Sequence, residues 1–393
     1  MEPHRVGCGR GRARAPRACG QGPGAAAGRP ARAGDAVPLR RRGIDQILAH
    51  PSDPVLYEGH VHDARGYVAL AERAHGPIPR KVAAGYVWGE ALKQWQARRP
   101  ALRIVNLETS ITRHDRPWPK GINYRMNPAN VGVLTDAGID CCTLANNHVL
   151  DWGYEGLAQT LAVLRAAKIA VCGAGERLAA AQAPSVLSLP GGRRLLVFAA
   201  ATGDAGVPPD WAAEATRAGV WRLPDLSAAT VALVAAEVAR HRHTGDLVLF
   251  SLHWGGNWGY EIAPAQRAFA HALIDEAGVH LLCGHSSHHP RAAEVHHGHL
   301  VLYGCGDFLN DYEGIGGHQA FRSELGLMYF PQLDTSHGRL CELALVPTCV
   351  RGFRVGQPAP EDRRWLLDVL RREYARMGCD VAERPDGSWA LVW

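Results

Sequence analysis

No apolar run in this chain approaches the roughly 18–20 residues that a helix needs to cross a bilayer, so no membrane span is expected. The longest apolar stretches, around 247–252 and 300–303, have the length of buried strands. No continuous apolar segment follows the basic N-terminal residues, and none there reads as a signal peptide. The ten cysteines form no C-x-x-C pair and keep no regular spacing. That pattern argues against a disulfide framework and for reduced, mostly buried thiols. Cys141 and Cys142, adjacent within an apparent strand, fit that reading. Internal repeats are also absent. Hydrophobic residues make up 47% of the 393 positions and charged residues 21%, enough to build a sizeable core in one large domain or two ordinary ones.

Large apolar residues are nearly missing from residues 1–33, which are mostly Arg, Gly, Ala and Pro. Such a segment cannot bury enough surface to offset its conformational entropy, so residues 1–42 are expected to be a disordered basic leader. Ten arginines against Glu2 and Asp35 give it a charge of about +8. The chain as a whole carries +5, so the remainder is mildly acidic. The leader has no interleaved aromatics, and no nucleic-acid partner is expected.

From about residue 43 the pattern changes to alternating helices and strands. Helices are predicted over 87–98, 128–137, 154–167, 226–241, 265–277 and 361–376. Strands are predicted over 102–107, 139–145, 169–172, 247–252 and 279–283. Hairpins are predicted for 186–189 with 194–200 and for 293–296 with 300–303, and a last one about Asp386–Gly387. Repeated helix–strand units imply an α/β fold with a mixed sheet covered by helices. The β-rich portions at 325–333 and 340–346 suggest a second sheet packed on the first.

Polar residues fall at regular places on that map. Glu108 follows the strand ending at Leu107. Asn146, Asn147 and His148 follow Ala145, His253 follows Leu252, and His285 and His288 follow Cys283. Each has an ordinary structural reading when taken alone. Glu108 could cap a helix, Asn146 and Asn147 could form a turn, and His253 could be a core histidine. Four strands delivering such residues at their C-terminal ends favour one shared site, because that edge is where open α/β sheets bind ligands. Imidazole nitrogens with carboxylate and amide oxygens suit Zn, Mn or Fe. Two such divalent ions sharing a carboxylate could clamp an oxyanion and lower the pKa of a bound water. His148, beside a ligating Asn147, would then act as general acid. Lys120, Asn123, Tyr124 and Arg125 could reach an anionic substrate or be loop residues, and Arg125 is the substrate-binding candidate. Gly59-His-Val-His62 resembles a metal motif but precedes all the others, with no strand leading into it, and reads as a surface loop.

The segments Asn106-Leu-Glu-Thr109, Leu144-Ala-Asn-Asn-His-Val-Leu-Asp-Trp-Gly153, Gly173-Ala-Gly175, Ser251-Leu-His-Trp-Gly255, Gly284-His-Ser-Ser-His288 and Tyr303-Gly-Cys-Gly-Asp-Phe308 resemble, in order and spacing, the motifs of the CapA family of capsule-synthesis and poly-gamma-glutamate biosynthesis proteins. The resemblance spans about residues 43–312. It implies a metallophosphoesterase-like four-layer α/β/β/α sandwich. It implies Glu108 as a bridging carboxylate, Asn147, His253, His285 and His288 as metal ligands, and His148 as the acid near the leaving group. Asn146, Asp151 and Asp307 would support them. The partner would be a small or polymeric anionic substrate. Two functions follow: a metal-dependent hydrolase of a phosphoester or related bond, or a non-catalytic accessory to polymer synthesis or export.

The chain departs from the family at its start. The family opens with an apolar strand and Gly-Asp, whose Asp ligates the first metal. Here the nearest text is Gly34-Asp-Ala-Val-Pro-Leu-Arg-Arg-Arg-Gly43, so Asp35 is a poor match, and no strand is predicted before Gly34. A start-site or reading-frame error in a GC-rich gene would produce that departure. One domain is expected over 43–355, with 356–393 packed on it as a helix and hairpin. The chain as it stands is expected to be cytoplasmic, and extracytoplasmic if its true N-terminus differs. Mass spectrometry of the native protein tests the start: peptides from residues 5–42 would rule that error out.

Overall fold

The computed structural model describes residues 31–34, 38–39, 43–58 and 61–393. Most of the predicted basic leader, including Asp35, lies outside the described residues, as do Gly59 and His60 of the early Gly-His-x-His text. Among the described residues no helix is long and apolar enough to cross a membrane.

The fold is mixed α/β, built on two large sheets. The smaller runs Ala293–His296, His299–Leu302, Leu281–His285, Leu247–His253, Arg194–Ala201, Ser185–Ser188. Its four inner strands are parallel. Parallel strands are covered on both faces and therefore read as continuous apolar runs. Leu247–His253 is buried at every position. Leu247 and Leu249 join the main core, whereas Val248, Phe250 and Leu252 join a second core. Helices Ala228–His241 and Pro264–Asp275 supply that second core with Val231, Val234 and Val238, and with Phe269, Ala270 and Leu273. Those spacings place each apolar set on one helical face. Ser227 caps the first helix by accepting from the Thr230 N–H.

The larger sheet runs Asp380–Glu383, Trp389–Val392, Leu340–Arg351, Leu325–Leu333, Ala31–Gly34, Leu102–Leu107, Cys141–Thr143, Ala170–Cys172. The last four are parallel. Two sequence expectations are corrected here. A strand, Ala31–Gly34, does end at Gly34. It lies between Leu102–Leu107 and Leu325–Leu333. The β-rich segments after residue 325 form no separate sheet. They continue the sheet begun by the early strands, because backbone pairing rather than chain order decides strand neighbours. Pro38–Leu39 pairs beside Asn106 and Leu107.

Element ends also shifted. The helix predicted over 87–98 is divided into Ala84–Trp88 and Glu90–Arg98. Gly89 forms the break at φ 43°, where an added Cβ would lie 2.1 Å from the Val355 carbonyl oxygen. Only glycine fits such a left-handed, close-packed position. The break turns Trp88 and Trp95 onto Phe308, with ring centroids 5.3–6.3 Å apart. That cluster anchors the loop immediately after Asp307. Phe308→Ala is expected to lower the unfolding free energy by about 3–5 kcal/mol, read from the urea midpoint at unchanged slope.

Candidate active site

Thr143 and Ser251 come from different sheets, and their hydroxyls meet at 3.1 Å. The contact brings the C-terminal edges of both parallel strand sets together. Loops leaving those edges carry the site.

Glu108 is fully buried immediately after its strand. Its Oε2 accepts from Asn106 Nδ2 at 3.0 Å, and Asn106 Oδ1 accepts from Asn146 Nδ2 at 3.0 Å. Asn146 Nδ2 also donates to the Leu107 carbonyl, and Asn146 Oδ1 accepts from the His148 N–H, both at 3.0 Å. Asn146 therefore ties the Glu108 loop to the histidine loop. This is a structural role that satisfies buried groups. Asn147 differs from its neighbour: its buried Oδ1 accepts no hydrogen bond from the described residues.

Asp151 orients His148, with Oδ2 at 2.6 Å from Nδ1. The carboxylate requires the proton on Nδ1, which leaves Nε2 as the second ring function. Lys120 Nζ sits 2.7 Å from Asp151 Oδ1 and also donates to the Asn147 carbonyl. The Tyr124 N–H donates to Asp151 Oδ2, and the Tyr124 ring packs 3.9 Å from that of His148.

His253 and His285 are register partners at the ends of adjacent strands. Their Nδ1 atoms are 2.8 Å apart, and His285 Nε2 is 2.7 Å from Ser251 Oγ. The His285 loop needs Gly284, where a Cβ would lie 2.4 Å from the Tyr303 carbonyl oxygen. Ser286 then adopts φ 114°, an uncommon value for an L-residue, and its Oγ donates to the Gly255 carbonyl. His288 Nδ1 is 3.0 Å from Asp307 Oδ2, which also accepts from Asn310 Nδ2. Trp258 stacks on the His288 ring at 4.9 Å. Burial pushes the neighbouring His289 imidazole down to about 4, so it stays neutral at ordinary pH.

Asn147, His148 and His288 line one cavity of about 330 Å³ with Lys120, Tyr124 and Tyr312. A larger one, about 540 Å³, shares Ile122, Tyr124, His288 and Tyr312 with it and continues past Trp258 to Arg322. Of the residues singled out in the sequence, Glu108, Asn146, Asn147 and His148 are joined by the hydrogen bonds above or by chain adjacency. His253 joins His285, and His288 joins Asp307. Arg125 lies elsewhere: it lines another cavity, stacks 4.0 Å over Trp152, and donates to the His114 and Asp53 carbonyls. Its place beside the site belongs to Lys120. Asn106, Trp258, Asn310 and Tyr312 were not singled out in the sequence. Only Asn106 and Trp258 carried a signal, as neighbours of the Glu108 and His253 motifs.

The donor set fits a divalent metal. A buried amide oxygen that accepts nothing from the described residues is suited to a cation. The His253–His285 separation of 2.8 Å is shorter than the roughly 3.3 Å edge of a tetrahedral site with Zn–N bonds of about 2.0 Å, so binding one ion through both nitrogens requires a small opening of the pair.

Comparisons with known proteins agree on one family. That described as bacterial capsule synthesis protein PGA_cap matches residues 32–312. A probable polyglutamine synthesis accessory protein of Mycobacterium tuberculosis is 45% identical over 356 residues, covering 89% of this chain and 93% of the relative. The PGA biosynthesis protein CapA of Bacillus subtilis is 28% identical over 210 residues, 52% of each chain. The capsule biosynthesis protein CapA of Bacillus anthracis is 28% identical over 192 residues, 49% of this chain and 45% of the relative.

The two adjacent asparagines should separate under mutation. Asn146→Ala strands the Leu107 carbonyl and the His148 N–H, and is expected to cost about 2–4 kcal/mol of stability. Asn147→Ala removes an oxygen that accepts nothing from the described residues, and is expected to change metal-free stability by less than about 1 kcal/mol. Urea unfolding of both variants in chelator checks this.

Proposed function

The chain belongs to the bacterial capsule synthesis protein PGA_cap family, and on that premise we propose that it is a metal-dependent hydrolase of a phosphoester or related anionic bond serving the synthesis of an anionic polymer such as poly-gamma-glutamate. The finer architecture proposed is the metallophosphoesterase-like four-layer sandwich. Two apolar cores, one shared with the larger sheet and one beneath the helices on the smaller, support that layering. The observation that carries the functional reading is the buried Asn147 Oδ1, which accepts no hydrogen bond from the described residues, on a side chain that lines a cavity with His148 and His288.

Glu108, Asn147, His253, His285 and His288 would hold two divalent ions, Mn, Zn or Fe. Asp35, the poor match to the family's first-ligand aspartate, lies outside the described residues. Bound ions of this kind polarise an anionic substrate and supply hydroxide near neutral pH. The chain's own groups do the rest. Asp151 holds the His148 ring with Nδ1 protonated, so Nε2 is the atom that carries a proton to the leaving oxygen. Lys120 holds the other Asp151 oxygen and places a positive charge on the cleft wall. Asp307 fixes the His288 ring in the same manner.

A second reading, a binding accessory without turnover, is favoured by the closed His253–His285 pair and by the accessory role in the mycobacterial relative's name. Metal analysis of purified protein followed by p-nitrophenyl phosphate turnover with Mn or Zn separates the two. The expected outcome is bound metal, with kcat reduced about 10²–10⁴-fold in His148→Ala at little-changed metal content. Absence of both metal and turnover would leave only the accessory reading.

A further inference from the structure

A second group of metal-type donors lies on the opposite edge of the smaller sheet. His296 ends the strand Ala293–His296, and His297 and Gly298 make the turn into His299–Leu302. Adjacent residues on a regular strand point to opposite faces. His297 instead adopts φ 50°, and this turn geometry brings both imidazoles onto one carboxylate. His296 Nε2 lies 2.8 Å from Asp275 Oδ2, and His297 Nδ1 lies 2.8 Å from Asp275 Oδ1. One donor atom from each residue falls within 4.8 Å of the others. Asp275 is the last residue of Pro264–Asp275, where the helix dipole favours a cation.

The surroundings hold the donors in place. The His271 ring, one helical turn before Asp275, stacks on His296 at 3.8 Å and 8°. His271 Nε2 is 3.1 Å from Glu294 Oε2, and Glu294 is in turn held by Arg267 and the Tyr303 hydroxyl. The cluster is separate from the site at His253 and His285. Leu281 pairs with Leu300 at its end of the sheet and His285 lies four residues further along, about 13 Å at the usual strand rise.

We propose that Asp275, His296 and His297 form a surface site for a late first-row divalent cation, with Zn²⁺ the first choice and Ni²⁺ or Cu²⁺ admitted by the same donors. Two imidazoles and one carboxylate supply three ligands, the solvent side leaves a fourth position open, and this N₂O set selects such ions over Mg²⁺ or Ca²⁺. The inference does not depend on the reading of the main site.

Equilibrium dialysis of tag-free protein against Zn²⁺, with metal counted by mass spectrometry, tests it. Asp275→Asn and His297→Ala are each expected to hold one zinc fewer than the unsubstituted protein at the same free zinc. His337→Ala, which removes an exposed histidine facing a carboxylate but no second imidazole, is expected to hold the full number. In the Glu108→Ala background Asp275→Asn must still remove one zinc, which distinguishes this site from the main one. Asp275, His297 and His337 are exposed, the buried Glu108 enters only as the background, and near-ultraviolet circular dichroism checks each fold. Equal zinc in Asp275→Asn, His297→Ala and the unsubstituted protein overturns the proposal.

Discussion

The site depends on one constraint: two separate parallel strand sets must end at the same edge. The buried Thr143–Ser251 contact is the visible expression of that constraint. It also reaches the chemistry directly, because Ser251 touches His285, and His285 touches His253. A one-residue slip of either strand would exchange its inward and outward side chains. It would carry the hydroxyls away from each other and the histidines out of the cleft. Register in the smaller sheet is held by a strand apolar on both faces, with one face in each core. Packing far from the cleft thus decides where the histidines stand.

Burial of so many polar groups at one edge is expensive unless they satisfy one another. The chain meets that cost by division of labour. Asn106 and Asn146 carry hydrogen bonds between loops. Asp151 and Asp307 each fix a histidine ring. Asn147, unlike Asn106 and Asn146, presents a buried oxygen that accepts no hydrogen bond from the described residues. Networks of this kind are rigid because losing one member strands the others, which suits a site whose ligands must be held before the ion arrives.

The cleft has one aromatic wall and one charged corner. Tyr124, Tyr312 and Trp258 line it between His148 and Arg322. Arg322 is paired with Glu324 and Asp362, and Lys120, held by Asp151, brings its Nζ to 3.4 Å from His148 Nδ1. Trp258 stacks on both His288 and His318. The cleft wall is therefore coupled to the ring that Asp307 orients, through contact rather than through the backbone.

Much of this was readable from local pattern. Apolar runs located the strands at 102–107, 139–145, 247–252 and 279–283, and hence the residues at their ends. Those ends carry Glu108, Asn147, His148, His253, His285 and His288, because strand length and termination are set by neighbouring residues. Tertiary structure decided the rest. It inserted Ala31–Gly34 between strands distant in sequence and joined the late strands to the early sheet, since pairing is a contest among distant partners. It chose Lys120 over Arg125 for the cleft, although the two lie five residues apart, because Trp152 and two carbonyls draw the Arg125 guanidinium to another face. It also separated Asn146 from Asn147, identical in type and adjacent in sequence: one side chain turns into the protein's own hydrogen bonds, and the other keeps a buried oxygen that accepts none from the described residues.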